Sequence, residues 1–232
     1  MKKITFILLY ILPYIAISQS NDSIKNNKID IGITYSPEYA YRRIISDNNS
    51  VIYKTIFDSL EIPKFGYSTG INGIYSINKK FAITLSFLFS DKGEQLKQNS
   101  LPSYEKFKNH YYYLDIPVKV KYSFFETTNK YNFYSTLGIS LNMFLNHRIS
   151  YTFNGANSTQ ASMPGNSIDI AKTNVGINVG LGINCTLTKK WYFKGEVTYK
   201  QSLNPIVTNS NLKRYLYSFG PTLGFFYKIW ID

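Results

Sequence analysis

Long runs of this chain alternate between apolar residues and small or polar ones, and a period of two is the mark of a β-strand with two unlike faces. In 191–200 the odd positions are Trp191, Phe193, Gly195, Val197 and Tyr199, and the even ones Tyr192, Lys194, Glu196, Thr198 and Lys200. In 171–187 the odd set includes Val175, Ile177, Val179, Leu181 and Ile183, against Lys172, Asn174, Gly176, Asn178, Gly180, Gly182 and Asn184. In 131–145 the same pattern holds except at Tyr134, Ser135 and Phe144. A helix would place its apolar residues three and four apart, and these segments mostly do not.

Eight stretches of this kind are predicted, at 28–42, 65–77, 81–90, 111–125, 130–146, 170–187, 191–203 and 215–230. Their connections alternate in length. Three are short: 78–80, 126–129 and 188–190. Four are long and polar: 43–64, 91–110, 147–169 and 204–214. Consecutive antiparallel strands put alternate connections at opposite ends, so all short turns share one end with both termini. Bacterial outer-membrane barrels have this asymmetry, an even strand number, and strands of about 9–11 residues across the bilayer. The predicted fold is therefore all-β, a closed antiparallel up-and-down transmembrane barrel of about eight strands. In hydrocarbon no sheet edge can be left unpaired, so the last strand is expected to pair with the first.

Alternation alone does not say which face meets lipid, because a soluble lipocalin-like barrel alternates too. Two features favour apolar side out. The polar set is small (Gly32, Thr34, Ser36, Gly66, Ser68, Gly70, Thr84, Ser86, Ser218, Gly220, Thr222 and Gly224), which suits a confined interior better than a wet surface. The apolar set is graded, with aliphatics such as Ile33, Ile83, Ile116 and Val179 mid-strand and aromatics toward the ends. Tyr35, Tyr75, Phe81, Tyr112, Tyr122, Phe133, Trp191, Tyr199, Tyr217 and Tyr227 are the expected girdle, since rings with a polar tip favour the bilayer interface. On this register Asp30, Glu38, Arg42, Asp115, Lys119, Lys121, Lys172, Lys194, Glu196, Lys200 and Lys228 point inward. Eight strands leave a lumen that side chains just fill, so these groups are expected to form a polar network.

The N-terminus carries an export signal. Lys2 and Lys3 precede an apolar run to Ile17, and Ala16-Ile17-Ser18 is a small-x-small cleavage pattern. The expected organisation is a signal peptide at 1–18, a short periplasmic segment at 19–27 and a barrel over 28–232, with no domain on either side. Removal of Lys2 and Lys3 takes the formal charge from +12 to +10. The remaining bases are scattered, with no run of five, so nucleic acid is not an expected partner. Cys185 is alone, so no internal disulfide or thiol metal site is expected. No carboxylate pair, phosphate loop or metal-ligand cluster stands out, and no cofactor is called for. His110 and His147 lie toward the long loops without an evident nucleophile and acid to complete a catalytic set. The expected partners are outer-membrane lipid, the barrel-assembly machinery during insertion, and a surface or secretion partner at the long loops.

The strand Tyr113-Leu114-Asp115-Ile116-Pro117-Val118-Lys119-Val120-Lys121-Tyr122 resembles the PorT-like outer-membrane β-barrel family, in which a Tyr-Leu-acid-Ile-Pro strand recurs. Asp91-Lys92-Gly93, Thr136-Leu137-Gly138 and Gly220-Pro221-Thr222-Leu223-Gly224 are similar to further pieces of it, over residues 28 to the end. The resemblance implies a stand-alone barrel in Gram-negative bacteria; its name-giving member is tied to type IX secretion, a role not carried over here. Pro117, mid-strand, is expected to mark a bulge. The functional expectation is a non-catalytic barrel with a structural or surface-interaction role through its long loops, extending to an accessory part in protein secretion; Tyr53, Phe57, Tyr104, Phe107, Tyr151 and Phe153 offer contacts there. The alternatives are a narrow channel, a lipid-modifying outer-membrane enzyme, and a soluble periplasmic lipocalin-like ligand-binding barrel.

Overall fold

A computed structural model describes residues 28–46, 50–96, 106–128, 130–153, 156–163, 170–207 and 212–230. The expected signal peptide and the 19–27 segment lie outside the described residues. The elements are β1 (Lys28–Ser46), α1 (Val51–Leu60), β2 (Glu61–Ser76), β3 (Phe81–Lys92), β4 (Glu94–Leu96), β5 (Lys106–Thr128), β6 (Tyr131–Phe153), β7 (Ala156–Met163), β8 (Thr173–Thr186), β9 (Trp191–Ser202) and β10 (Leu212–Trp230).

Eight of the strands close a ring in the order β1, β2, β3, β5, β6, β8, β9, β10 and back to β1, every pair antiparallel. The closing seam runs from Lys28↔Trp230 to Ser46↔Leu212. Two further strands stand outside this count. β4 continues β3 past Gly93 and pairs with β2 and β5. β7 folds back on the far end of β6. Gly93 has φ +140, and a Cβ there would lie 2.2 Å from the Asn109 carbonyl oxygen, so only glycine fits this junction.

The strands reach further than the alternation does. The expected loops at 91–110 and 147–169 give up much of their length to strands that continue beyond the apolar band, those at 43–64 and 204–214 give up their ends, and the first contains the helix α1. Past that band the outer face meets water while the inner face buries charged groups such as Glu61, Lys64 and Glu94, so both faces carry polar residues and the chemical contrast that revealed the strands fades although the hydrogen-bond ladder continues. A bulge between Tyr112 and Tyr113 on the β5–β6 ladder changes the facing parity of β6. Below it even residues such as Thr136 and Ser140 are buried; above it the odd His147 is.

Pro117 departs from the expected bulge, and two further prolines meet in the closing seam. Pro117 marks no bulge: Leu85↔Val118 and Leu88↔Asp115 keep one register on either side of it, and only the intervening β3–β5 pairs are missing. In the seam, Pro37 and Pro221 face each other, and the β1–β10 pairing lapses between Tyr35↔Leu223 and Tyr39↔Phe219 without a shift. The Ser36 hydroxyl donates to the Pro221 carbonyl oxygen at 3.0 Å, supplying a donor where the ring nitrogens have none.

The barrel is apolar outside and polar inside. Ile33, Ile71, Leu137, Ile139 and Leu181 are exposed, Ile139 at 62 %, while Thr84, Ser86, Ser90 and Thr136 are buried. Such an outer face is stable only against an apolar medium. Among the described residues no helix is long and apolar enough to cross a membrane, and the strands make the crossing. Two apolar clusters lie within the lumen. Ile74, Ala82, Tyr192 and Phe226 sit toward the short-turn end. Tyr111, Tyr113, Ile170, Ile206 and Leu216 close the long-loop end.

Candidate functional site

The lumen is built from the inward-facing positions of all eight ring strands. Its centre is Glu196 on β9. That carboxylate accepts from Lys119 and Lys194 at 2.8 Å each, from Thr136 and Thr198 at 3.1 Å, and from the Tyr134 hydroxyl at 3.2 Å. Gly180 makes room for it, since a Cβ there would lie 2.6 Å from both Glu196 Oε1 and Thr136 Oγ1. One level toward the long loops, Glu38 accepts from Lys200, Ser68 and Ser218. Asp115 accepts from Ser90 at 2.6 Å and Lys92 at 2.7 Å. Thr34, Asn72 and Ser86 form a hydroxyl–amide chain between these levels. Each buried charge in these clusters has an opposite charge and further hydrogen bonds, the condition for a polar core to be tolerated.

Asp30, Glu38, Arg42, Asp115, Lys119, Lys121, Lys194 and Glu196 are buried, while Lys200 and Lys228 are partly covered inside the two ends. Lys172 is a correction. It is exposed, in the bend before β8 starts at Thr173, so strand alternation does not govern where it points. Of the girdle residues, Tyr35, Tyr75, Phe133, Trp191 and Tyr199 are exposed on the outer face, and Phe81, Tyr112, Tyr122, Tyr217 and Tyr227 are half-covered by neighbouring rings. Trp191 stacks on Phe225 at 4.8 Å, Phe81 meets Tyr122 at 5.0 Å, and Phe89 stacks on Tyr112 at 5.5 Å. Tyr134, which broke the sequence alternation, faces inward with its hydroxyl on Glu196.

Sequence reasoning missed a second network at the long-loop end because its residues fell in expected loops. Glu61 and Lys64 are both buried although three residues apart. The β2–β4 pairing Pro63↔Glu94 is one residue out of step with the β2–β3 pairing Tyr67↔Asp91, so a bulge turns both side chains inward. Arg42 binds Glu61 and Asp58 at 2.5 Å each, tying α1 to the wall. Arg214 reaches Glu94 at 3.2 Å and Glu61 at 3.3 Å, and lies over the Phe57 ring at 4.8 Å. Glu94 is fully buried on β4, beyond the membrane-spanning band. Burial and the nearby Glu61 charge push its carboxyl up to about 7, against the opposing pull of Arg214, Arg42 and the Asn109 amide.

The structure also gives His110 an acid that spacing did not reveal. Its Nδ1 lies 2.9 Å from Asp91 and 2.8 Å from the Lys64 ammonium, which itself binds Asp91 at 2.6 Å. His147 stacks on Tyr111 at 4.7 Å with Nε2 3.3 Å from the side-chain amide oxygen Oδ1 of Asn109. Among the described residues no serine or threonine hydroxyl is hydrogen-bonded to either imidazole. Nor do the described residues hold a cluster of three metal-ligating side chains.

A closed antiparallel ring with an apolar outer face and a charge-paired lumen defines a transmembrane β-barrel. The chain belongs to the outer membrane protein β-barrel domain family, whose model matches residues 18–208, and it is a protein of the outer membrane. Among solved structures it is similar to Neisserial surface protein A (16 % identity, 84 % of this chain and 95 % of that one, TM-score 0.43). It is also similar to the attachment invasion locus protein of Yersinia pestis (11 % identity, 88 % and 100 %, TM-score 0.41). A major outer membrane protein of Thermus thermophilus is a third (9 % identity, 87 % and 99 %, TM-score 0.47). No curated protein matches the chain.

Proposed function

We propose that the protein is a non-catalytic outer-membrane barrel that serves as a rigid platform for a surface interaction at its long-loop end. The observation that carries this reading is α1. No residue of this ten-residue helix is buried, and it holds Val51, Ile52, Tyr53 and Ile56 exposed, Ile52 at 74 %. The Arg42–Asp58 ion pair and the Phe57–Arg214 contact fix the helix to the rim, so its apolar side chains are presented rather than folded away. An exposed apolar group of this kind on a fixed scaffold marks an interaction site. With short turns periplasmic, as in bacterial outer-membrane barrels, α1 lies at the cell surface. The girdle residues then anchor the two lipid interfaces.

Several features weigh against the channel and enzyme readings. The lumen is crossed by the Glu196 network and closed toward each end by apolar side chains. The histidines have acid or amide partners but no described nucleophile. Membership of the narrower PorT-like group, with an accessory role in secretion, is a finer form of the same proposal, supported chiefly by the Tyr113–Tyr122 strand and more weakly by the Asp91–Gly93, Thr136–Gly138 and Gly220–Gly224 segments.

The test is a cell-surface pull-down with Ile52→Ser, Tyr53→Ser and Ile56→Ser combined. The expected result is loss of a captured surface component with the barrel still inserted and heat-modifiable. A capture profile identical to wild type refutes the platform reading. Conductance in planar bilayers separates the channel; a steady current refutes the closed lumen.

A further inference from the structure

The short-turn end of the barrel holds a cavity of about 270 Å³. The 78–80 turn and the start of β6 form its rim, and the Tyr192–Phe226 ring stack, packed with Ile74 and Ala82, closes it from the lumen. Five lysines (Lys79, Lys80, Lys121, Lys130 and Lys228) line it against one carboxylate, Asp30, whose Oδ2 accepts from the Tyr192 hydroxyl at 2.8 Å.

Lys121 is the informative member. The other buried lysines each have a carboxylate: Lys64 has Asp91, Lys92 has Asp115, and Lys119 and Lys194 share Glu196. Lys121 is 8 % exposed and, among the described residues, has neither an ion pair nor a hydrogen bond. Its ammonium rests 4.4 Å from the centre of the Tyr134 ring and borders the cavity. A ring face offsets only part of what a lysine loses on leaving water. Beside it, the side-chain oxygens of Asn132 and Asn184, paired residues on β6 and β8, also lack hydrogen-bond partners. The site therefore offers converging cations together with neutral acceptors. A hydrogen phosphate has anionic oxygens for the first and a P–OH for the second.

We propose that this vestibule binds a phosphate group, with Lys121 as its deep ligand, Lys228 and the turn lysines around it, and the Asn132–Asn184 pair accepting from the protonated oxygen. The phosphate comes either from a soluble periplasmic phosphate monoester or from the monoester phosphate of a phosphatidate lipid in the inner leaflet, since both keep a P–OH and the short turns put the opening at that leaflet's level.

The experiment uses the full chain in uncharged maltoside micelles free of phosphate and phospholipid. Inorganic phosphate is titrated by calorimetry, with chloride at equal ionic strength as control. Saturable binding is expected. Lys121→Met, which keeps the stem volume and removes the charge, is expected to weaken it by about tenfold or more. Lys189→Met, on an exposed turn outside the cavity lining, leaves it unchanged. Retained heat-modifiable migration shows that each variant has folded, and Lys228→Met serves if Lys121→Met does not. No saturable binding, or equal binding by a folded Lys121→Met or Lys228→Met, overturns the proposal. Repeating the titration in nanodiscs that contain phosphatidate distinguishes the sources: lost phosphate binding means the lipid's monoester phosphate already fills the site, and retained binding means a soluble ligand. Either result supports a phosphate site.

Discussion

Replacing Glu196 by alanine tests the inside of the barrel most directly. The carboxylate is buried and neutralises two ammonium groups at 2.8 Å, those of Lys119 and Lys194, while accepting from three hydroxyls. Its removal strands both cations in a lumen walled by the Tyr134 ring and backbone. Breaking one buried pair by deleting a partner costs about 3–5 kcal/mol, chiefly through the charge left behind. One carboxylate here serves two cations, so Glu196→Ala is expected at or above the top of that range. Glu196→Gln keeps the shape and part of the hydrogen bonding, and is expected to cost less but still exceed the roughly 0.5 kcal/mol of a neutral surface change. The assay is urea unfolding from lipid vesicles, followed by the fluorescence of Trp191 and Trp230 and by the gel-mobility difference between folded and unfolded barrel. Lys119→Met in the Glu196→Ala background then removes one stranded charge and is expected to restore part of the loss. If Glu196→Ala unfolds within about 0.5 kcal/mol of wild type, the lysines are reaching water and the charge-paired lumen is wrong.

Other expectations follow from the same geometry. Ile139→Arg, on the exposed mid-strand face of β6, is expected to cost about 2–4 kcal/mol in a bilayer, as a basic residue does at the midplane of a lipid-facing wall, and little if that face met water. Gly93→Ala forces a side chain into a left-handed backbone against the Asn109 carbonyl, and a loss of about 1–3 kcal/mol should appear in the same unfolding assay. Glu94 has a carboxyl raised from 4.5 to about 7 in the fold, so the folded mouth holds its proton longer than the unfolded chain does. Its contribution to stability is complete below about pH 4.5 and is lost as pH rises through about 7, a change on the order of 3 kcal/mol. Hydrogen exchange of β4 and the adjoining β5 amides at pH 5 and 8 measures it. Glu94→Gln is expected to flatten the profile, and an unchanged profile removes Glu94 as its source.

The transmembrane wall is legible from the residue order alone. Within the lipid band every residue must be apolar outward and compact or paired inward, so alternation such as Trp191 to Lys200 fixes strand, face and register parity together. The same constraint placed Glu196, Lys194 and Lys119 inside before any partner was known. The rest depends on contacts beyond that band or across it. Lys64 and Asp91 are 27 residues apart, and their pairing with His110 depends on a β2 bulge and the Gly93 junction, neither of which has a periodic signature. Pro117 reads as a bulge in isolation, but neighbours on both sides hold the strand in register, and the ladder yields pairs instead. Lys172 reads as luminal until the strand start is known. Periodicity reports the solvent on each face of a strand; which charges meet across the lumen is set by how eight strands close, and that is a property of the ring rather than of any one segment.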